Sequence, residues 1–294
     1  MIERMTEFTE TYNAVKQFQG KGFRHYLRWT ALSALSFPEP FIKNTRPRVQ
    51  FLYIHHVFKD EENSFRMMLQ ALSREYSFLS YSEAVNKVVT GKIDRPYLSI
   101  SSDDGFQNNL AAGRILGDMG ISGCFFLNPG LISETNFQQI KQHCFEKLEF
   151  PPVAFLNWQE VELLQEMGHE IGGHTLYHER VLGRSMQDFA DDCEKSREQI
   201  THYCGETKHF SFPYGRFTDF SQDAAQIVFK AGYKSCASAE RGCHVGTTPL
   251  DPNKVCIRRD HVLPEWPISH VRYFLNQNIR KAGPSGNVFP YPNL

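Results

Sequence analysis

The sequence predicts an α/β fold with a mainly parallel sheet, and two observations carry that prediction. Between residues 49 and 237, short runs of β-branched and aromatic residues alternate with segments whose apolar residues recur at helical spacing. Clusters of polar residues directly follow several of the short runs. This alternation is typical of parallel strands joined by helices, in an open sheet or a closed barrel, with the active groups at the carboxyl ends of the strands.

The length of the chain fits one large α/β domain with a short appendage, since it has 294 residues. Residues 1–45 are expected to form one or two helices that end at the proline-containing segment 37–47. We therefore expect a helical N-terminal appendage, residues 1–45, and a main domain, residues 46–294.

Within the main domain, the predicted elements follow one another in a βαβ rhythm. The first strand, residues 49–57, carries His55 and His56 at its end, and the strand at 97–101 runs into Asp103. Further strands are predicted at 123–127, 210–212 and 234–237. Helices are predicted at 63–76, 81–89, 109–119, 158–167, 185–203 and 222–231.

Composition excludes some classes of partner and compartment. The formal net charge is -1 at pH 7, so no global field attracts nucleic acid, and a neutral partner fits better. The seven cysteines form an odd set without a Cys-x-x-Cys pair, which predicts reduced thiols rather than a disulfide framework. Because the N-terminus lacks the apolar region of a signal peptide, we expect a cytoplasmic protein.

Segment 21–41 leaves two interpretations open. It combines basic residues, Trp29 and apolar residues at helical spacing. Such a helix can pack against the main domain, or it can lie on a membrane surface as a peripheral contact.

The first group of residues that could carry chemistry is Asp103–Asp104–Gly105, directly after a predicted strand. Two adjacent carboxylates repel each other when both are ionised. A divalent cation bound to one of them would relieve the repulsion and leave the other free to accept a proton from water. An Asp-Asp-Gly sequence is also ordinary turn chemistry, so the motif alone does not decide between these interpretations.

The second group is the pair His174 and His178, which are four residues apart. On a helical turn this spacing puts both imidazoles on one face, where they can share one metal ion. Two histidines and one aspartate, with solvent in the remaining positions, suit zinc or another first-row divalent ion in a catalytic site.

Together these motifs resemble those of the polysaccharide deacetylases of carbohydrate esterase family 4, the NodB-type domain. The second family motif, Gly-His-Glu-Ile-Gly-x-His-(Ser/Thr)-x-x-His, matches residues 168–178 at each defining position. A third motif, Arg-x-Pro-(Tyr/Trp)-Gly, has its counterpart in Ser-Phe-Pro-Tyr-Gly at residues 211–215. The resemblance covers roughly residues 49–261 and leaves residues 1–45 unexplained.

The resemblance implies a distorted (β/α) barrel and a set of residue roles. Asp104, His174 and His178 would bind a divalent metal, zinc in the first place, with cobalt, nickel, manganese or iron as alternatives. Asp103 would be the general base that accepts a proton from metal-activated water. The backbone N–H of Tyr214 would stabilise the oxyanion. Pro213 and Tyr214 would contact the substrate.

The chain departs from the family pattern at Ser211, where many members have an arginine that orients the catalytic aspartate. Asp103 must therefore be oriented by another group or less firmly, and Arg258 or Arg259 could instead reach it. Some relatives also lack the arginine, so this departure does not exclude activity.

The general acid is a second departure, because the Leu-x-His motif that supplies it in many members is absent in plain form. His261 is the nearest candidate by position.

At the end of the first strand, alternation of side chains allows only one of His55 and His56 to face the site, and we take His55 as the candidate substrate contact.

The predicted function is hydrolysis of an N-acyl group, foremost an N-acetyl group, from an amino sugar, an oligosaccharide or a lipid- or nucleotide-linked glycan precursor. One alternative is a non-catalytic carbohydrate-binding relative, which Ser211 and the missing acid motif would explain. Another is a metal-dependent hydrolase of a different C–N bond, such as a deformylase or a cyclic amidase.

Overall fold

The computed structural model describes residues 5–20, 23–36 and 45–291, which we call the described residues. Residues 45–291 contain a nine-stranded sheet in the order β8-β7-β6-β5-β4-β3-β1-β9, with β2 on the edge of β3. The strands are β1 (Arg48–Ile54), β2 (Ser77–Phe78), β3 (Pro96–Ser102), β4 (Gly123–Leu127), β5 (Glu170–Gly173), β6 (His209–Ser211), β7 (Ser235–Ala237), β8 (Cys256–Ile257) and β9 (Arg259–His261).

Every strand pairing in this sheet is parallel. The central strand β1 is buried at all seven positions, as expected for a parallel strand that is covered on both faces. Helices connect the strands and cover the sheet. They are α1 (Tyr12–Gln19), α2 (Phe23–Ser36), α3 (Glu62–Leu72), α4 (Tyr81–Thr90), α5 (Asn109–Asp118), α6 (Phe137–Leu148), α7 (Trp158–Glu166), α8 (Met186–Cys204), α9 (Gln222–Lys230) and α10 (Ile268–Lys281).

The two edges of the sheet are formed by consecutive pieces of the chain, and this nearly closes a barrel. Strand β8 pairs with β7, and β9 pairs with β1, where Arg259 lies opposite Phe51. Arg258 alone separates β8 from β9. The predicted α/β fold with a distorted barrel is confirmed.

The core lies on both faces of the strands. One cluster of buried residues joins Phe51, Phe126, Ala237 and Ile257, which come from β1, β4, β7 and β8 and therefore fill the barrel. A second cluster joins the outward-facing residues of the strands to helices that include α3, α5, α7 and α10. The barrel is thus packed inside and covered outside, and its carboxyl edge is left for polar groups.

The predicted N-terminal helices are α1 and α2, and both contact the main domain. On α1, Tyr12 donates its backbone N–H to Asp60 Oδ1 at 2.7 Å, and on α2, Ser33 Oγ lies 3.1 Å from His270 Nε2 of α10. Most of the proposed boundary lies outside the described residues, because residues 37–44 are not among them. The same holds for part of the segment considered for membrane contact, namely residues 21, 22 and 37–41. The domain boundary near residue 45 and the membrane contact stay predictions.

Several elements differ from the sequence-based prediction. The first strand ends at Ile54, before both histidines, rather than at residue 57. Helices α6 and α10 and strands β8 and β9 were not predicted. Strands of two or three residues are too short to produce a periodic pattern, and α10 buries polar residues among its apolar ones. None of the described helices is long and apolar enough to cross a membrane.

Candidate active site

Polar side chains from several parallel strands meet at the carboxyl edge of the barrel. Asp103 and Asp104 follow β3, His174 follows β5, His55 follows β1, and His261 ends β9. All five residues line one cavity of about 420 Å³. The topology therefore brings together residues that are far apart in sequence, as is usual for the carboxyl edge of a (β/α) barrel.

Asp104, His174 and His178, the predicted metal ligands, lie together at this cavity. One ligand atom of each lies within 4.8 Å of the others, and all three residues are buried. The Nε2 atoms of His174 and His178 are 3.4 Å and 3.5 Å from Asp104 Oδ1. That oxygen has no hydrogen-bond partner among the described residues. Two imidazole nitrogens and one carboxylate oxygen around a buried point can hold a first-row divalent metal.

The protonation of these groups is compatible with metal binding. His174 donates its Nδ1–H to the carbonyl of Ser211 at 2.7 Å, so its Nε2 is the ring atom that faces Asp104. Burial would lower the pKa of His174, but the Asp104 and Asp103 carboxylates outweigh burial and hold it above its ordinary value, so a cation that binds Nε2 would displace a proton. Burial lowers the pKa of His178 to about 3, so this imidazole is neutral near pH 7. Burial alone would raise the pKa of Asp104, but His178 and His174 hold it below its ordinary value and keep the carboxylate ionised.

The two histidines do not lie on a helical turn, and the prediction on that point was wrong. Residues 174–178 form an irregular loop after β5, in which Thr175 and His178 have left-handed φ angles of 63° and 55°. Asn128 supports the loop by donating its Nδ2–H groups to the carbonyls of His174 and Thr175, the latter at 3.1 Å. Left-handed φ angles in residues other than glycine store strain, which is typical of functional sites.

Asp103 is held by an arginine on β9, which is separated from β3 by β1 alone. Arg259 donates from Nη1 to Asp103 Oδ1 at 2.7 Å and from Nη2 to Oδ2 at 2.8 Å. Ser211 Oγ accepts from Arg259 Nη2 at 2.6 Å and donates to Asp103 Oδ2 at 3.4 Å. The guanidinium also lies over the rings of Tyr53, at 4.5 Å, and Phe126, at 5.1 Å. Of the two arginines that the sequence left open, Arg259 is therefore the one that contacts Asp103.

This ion pair sets the charge state of Asp103. Burial would raise the pKa of its carboxyl group, but Arg259 outweighs burial and holds the pKa below its ordinary value. The carboxylate is therefore ionised near pH 7, as a general base must be. Because Arg259 is paired in a bidentate geometry, it fixes the orientation of Asp103 as well as its charge.

His55 and His261 contact each other on another side of the cavity. His55 Nδ1 lies 3.1 Å from His261 Nε2, and burial holds the pKa of His261 well below its ordinary value. His56 lines the cavity as well and stacks on Phe150 with ring centres 4.6 Å apart. The expectation that only one of the two adjacent histidines faces the site was wrong, because strand alternation no longer applies beyond Ile54.

Tyr214 lies on the wall of the cavity, and its backbone has a left-handed φ of 62°. Its ring makes a T-shaped contact with His178, and its hydroxyl donates to the carbonyl of Lys147 at 3.0 Å. Among the described residues that line the cavity are Phe212, Tyr214 and Gly215, whereas Pro213 between them is buried and is not part of the lining.

Comparison with known families identifies the chain. A family model described as polysaccharide deacetylase matches residues 90–236, which is half of the 294 residues. The chain belongs to the polysaccharide deacetylase family. The family predicted from the motifs is therefore confirmed, and the protein is a carbohydrate N-deacetylase, a hydrolase of a C–N bond. Comparison with curated proteins gave no match.

Several solved structures have a fold similar to that of this chain. IcaB from Ammonifex degensii is 18% identical, with a TM-score of 0.63, over 78% of this chain and 97% of that one. The deacetylase PplD from Streptococcus pyogenes, in complex with acetate, is 16% identical, with a TM-score of 0.60, over 81% and 99%. A de-N-acetylase from Aggregatibacter actinomycetemcomitans is 15% identical, with a TM-score of 0.58, over 77% and 99%.

The cavity of this deacetylase is also lined by residues that the sequence analysis did not single out. Among them are Tyr12, from α1, and Glu61, from the loop before α3. Neither belongs to a motif. No local pattern marks them, because they lie on two separate segments, α1 and the loop before α3, that meet at the cavity only in the folded chain.

Proposed function

We propose that this deacetylase removes an N-acetyl group from an amino sugar in a metal-dependent reaction, with zinc at Asp104, His174 and His178. The observation that carries the proposal is the convergence of these three ligand atoms beside Asp103, a carboxylate that Arg259 keeps ionised. A base next to a metal site at the end of a cavity is the arrangement required for hydrolysis of an amide by water.

The residues fit a divalent metal. Asp104 Oδ1 is a buried acceptor without a hydrogen-bond partner among the described residues, and a cation would satisfy it. Two imidazoles and one carboxylate match the ligands of catalytic zinc sites, which leave one position for water or substrate. When bound, the metal would act as a Lewis acid toward the acetyl carbonyl and lower the pKa of water.

Asp103 is the general base in this proposal. Its carboxylate accepts the proton of the attacking water, and Arg259 prevents it from turning away because it binds both oxygens. The presence of Arg259 answers the question that Ser211 raised. The hydroxyl of Ser211 bridges Arg259 and Asp103 and so completes the support of the base without an arginine at this position.

The backbone N–H of Tyr214 is the proposed donor to the oxyanion, and the His55–His261 pair delivers a proton to the leaving amine. In this pair His55 Nδ1–H donates to His261 Nε2, which leaves the Nδ1–H of His261 for the amine. The proton that Asp103 accepts from water enters the pair at His55, the shared proton moves to His261, and the Nδ1 proton of His261 passes to the amine, so each ring gains one proton and loses one. We therefore assign proton delivery to His261 and substrate contact to His55.

The charge of the chain favours a neutral glycan over an anionic polymer. The formal net charge is -1, and the acids at the cavity are Asp103, Asp104 and Glu61. We propose an N-acetylated amino sugar, free or as part of an oligosaccharide or a glycan precursor, as the substrate class.

Metal analysis combined with an acetate-release assay tests this function. The purified chain should contain about one equivalent of metal, and it should release acetate from N-acetylglucosamine oligomers or from nucleotide- or lipid-linked N-acetyl sugars. His174→Ala should lose both properties, whereas the matched variant His202→Ala, on an exposed residue of α8, should lose neither. Metal without acetate release from this panel would contradict N-acetyl hydrolysis, and absence of metal would contradict the site.

A further inference from the structure

One wall of the cavity combines the N-terminal helix with the loop before α3. Tyr12 and Gln19, both on α1, line the cavity together with Glu61, which directly precedes α3. A substrate bound at the site therefore meets, on this side, residues that have no place in the motifs of the family.

Helix α1 is fixed in position by several contacts. The carboxylate of Asp60 accepts the backbone N–H groups of Tyr12 and Asn13, at 2.7 Å and 3.1 Å. Val15 is fully buried in a cluster with Phe58 and other apolar residues. Lys16, in the last turn of α1, forms an ion pair with Glu265. These contacts give the wall a defined shape before a substrate arrives.

Glu61 is a polar group of this wall, and one of its two carboxylate oxygens lacks a hydrogen-bond partner among the described residues. The residue is 3% exposed, and its Oε2 accepts a hydrogen bond from the backbone N–H of Phe58 at 3.2 Å. Its Oε1 has no hydrogen-bond partner among the described residues. Burial raises the pKa of Glu61 to about 7, and Glu265 and Asp60 add to this effect. A buried acceptor without a donor is unfavourable, and a ligand that brings a donor removes the penalty.

We propose that Glu61 accepts a hydrogen bond from a hydroxyl group of the bound amino sugar and is thereby a specificity-determining residue of this deacetylase. The inference rests on the proposed function. Hydroxyl groups are the donors that a neutral sugar carries around its ring. An anionic substituent would be repelled by Glu61 and by the neighbouring Glu265 and Asp60. A site built around a substrate hydroxyl discriminates strongly against the analogue that lacks it.

The test compares Glu61 variants on N-acetylglucosamine and on its 3-deoxy, 4-deoxy and 6-deoxy analogues, with the metal-loaded full chain. On the parent sugar, Glu61→Ala should lower kcat/KM by about 10- to 100-fold, mainly through KM, and Glu61→Gln should lower it less because an amide oxygen still accepts. On one deoxy analogue, wild type should lose a similar factor and the variants should lose little more. Glu62→Gln, the same change on the exposed neighbour, should have no effect.

The outcomes separate this inference from the proposed function. If wild type releases acetate but Glu61→Ala and Glu61→Gln lose the same factor on every analogue, or lose none, the role of Glu61 is wrong and the function stands. If wild type releases no acetate, the proposed function is wrong, and calorimetric binding of the same four sugars decides the inference. Loss of binding in the Glu61 variants for the parent sugar, but not for one deoxy analogue, would support it. Failure of wild type to bind any of the four sugars would overturn it.

Discussion

The two sides of the active site are held in different ways. On the ligand side, the backbone of two loops sets the positions of Asp104 and His178, each at a left-handed φ, and Asn128 holds the carbonyl of His174. On the base side, Asp103 is oriented by a bidentate ion pair with Arg259, which arrives from the strand that closes the barrel. Because the two kinds of support share few residues, metal binding and proton transfer should be separable by mutation.

The largest effect is expected on the ligand side. His178→Ala should lose the bound metal and reduce acetate release to the background, because one of the three proposed protein ligands disappears from a buried site. Asp104→Ala should behave in the same way. Metal content by elemental analysis and activity on the same preparation measure both effects. A variant that kept its metal and lost only its rate would show that the residue is not a ligand.

On the base side, Asp103→Asn should retain the metal and lose rate. The amide has nearly the shape of the carboxylate but cannot accept the proton of water, so kcat should fall by about 10²- to 10⁴-fold. KM and metal content should change little. Asp118→Asn, on an exposed carboxylate at the end of α5, is the matched control. Full activity of Asp103→Asn would require another base.

The ion pair between Arg259 and Asp103 predicts an intermediate effect on kcat. Arg259→Lys should keep the metal but lower kcat by about 10- to 100-fold, because a lysine cannot bind both oxygens of Asp103. Without the guanidinium the pKa of Asp103 rises, so activity should be lost at a higher pH as the solution is acidified. The rate should be measured as a function of pH. Arg258→Lys, whose Nε donates to the carbonyl of Gly286, is the control on the adjacent arginine.

If Arg259→Lys does not fold, a milder substitution can still test whether Arg259 and its neighbours support Asp103. Ser211→Ala removes only the hydroxyl that bridges Arg259 and Asp103. A modest fall in kcat with an upward shift of the acid limb would support the assigned role. An unchanged pH profile in both variants would contradict it.

The difference between the two sides also explains what the sequence could predict. Asp104, His174 and His178 were identified because short stretches of sequence carry them, although the helical turn inferred for the histidines was wrong. Arg259 stayed one of two options, because its contact with Asp103 depends on closure of the barrel by strands of two and three residues. Glu61 was not identified at all, since it lies outside every motif and only the folded arrangement of the loop before α3 brings it to the cavity.

Proton delivery to the leaving amine predicts an effect that depends on the substrate. His261→Gln should lower kcat on an N-acetyl sugar by about 10²-fold, because an amine is a poor leaving group without a proton. On 4-nitrophenyl acetate, whose leaving group needs no proton, the loss should be much smaller. Equal losses on both substrates would assign His261 to another step.

The smallest effect concerns stability at the junction that carries Arg259. His244 is fully buried, its Nε2 accepts the N–H of Arg258 at 3.0 Å, and its Nδ1 donates to Asn287 Oδ1 at 3.2 Å. The contact with Arg258 requires a neutral ring, because a protonated Nε2 cannot accept a hydrogen bond. Burial lowers the pKa of His244 to about 4 from its ordinary 6.5, so between these values the unfolded chain binds a proton that the folded chain does not. Stability should therefore fall as the pH decreases through this window.

A comparison of free energies of unfolding in urea at pH 7.5 and pH 5 measures this contribution. His244→Gln should be less stable than wild type at pH 7.5, because it loses the two contacts, but its stability should fall less on acidification. The full shift corresponds to about 3 kcal/mol, of which part is lost by pH 5. His202→Gln, on an exposed histidine, should follow wild type. If the difference in free energy of unfolding between His244→Gln and wild type were the same at both pH values, protonation of His244 would not affect the stability of the β8–β9 junction.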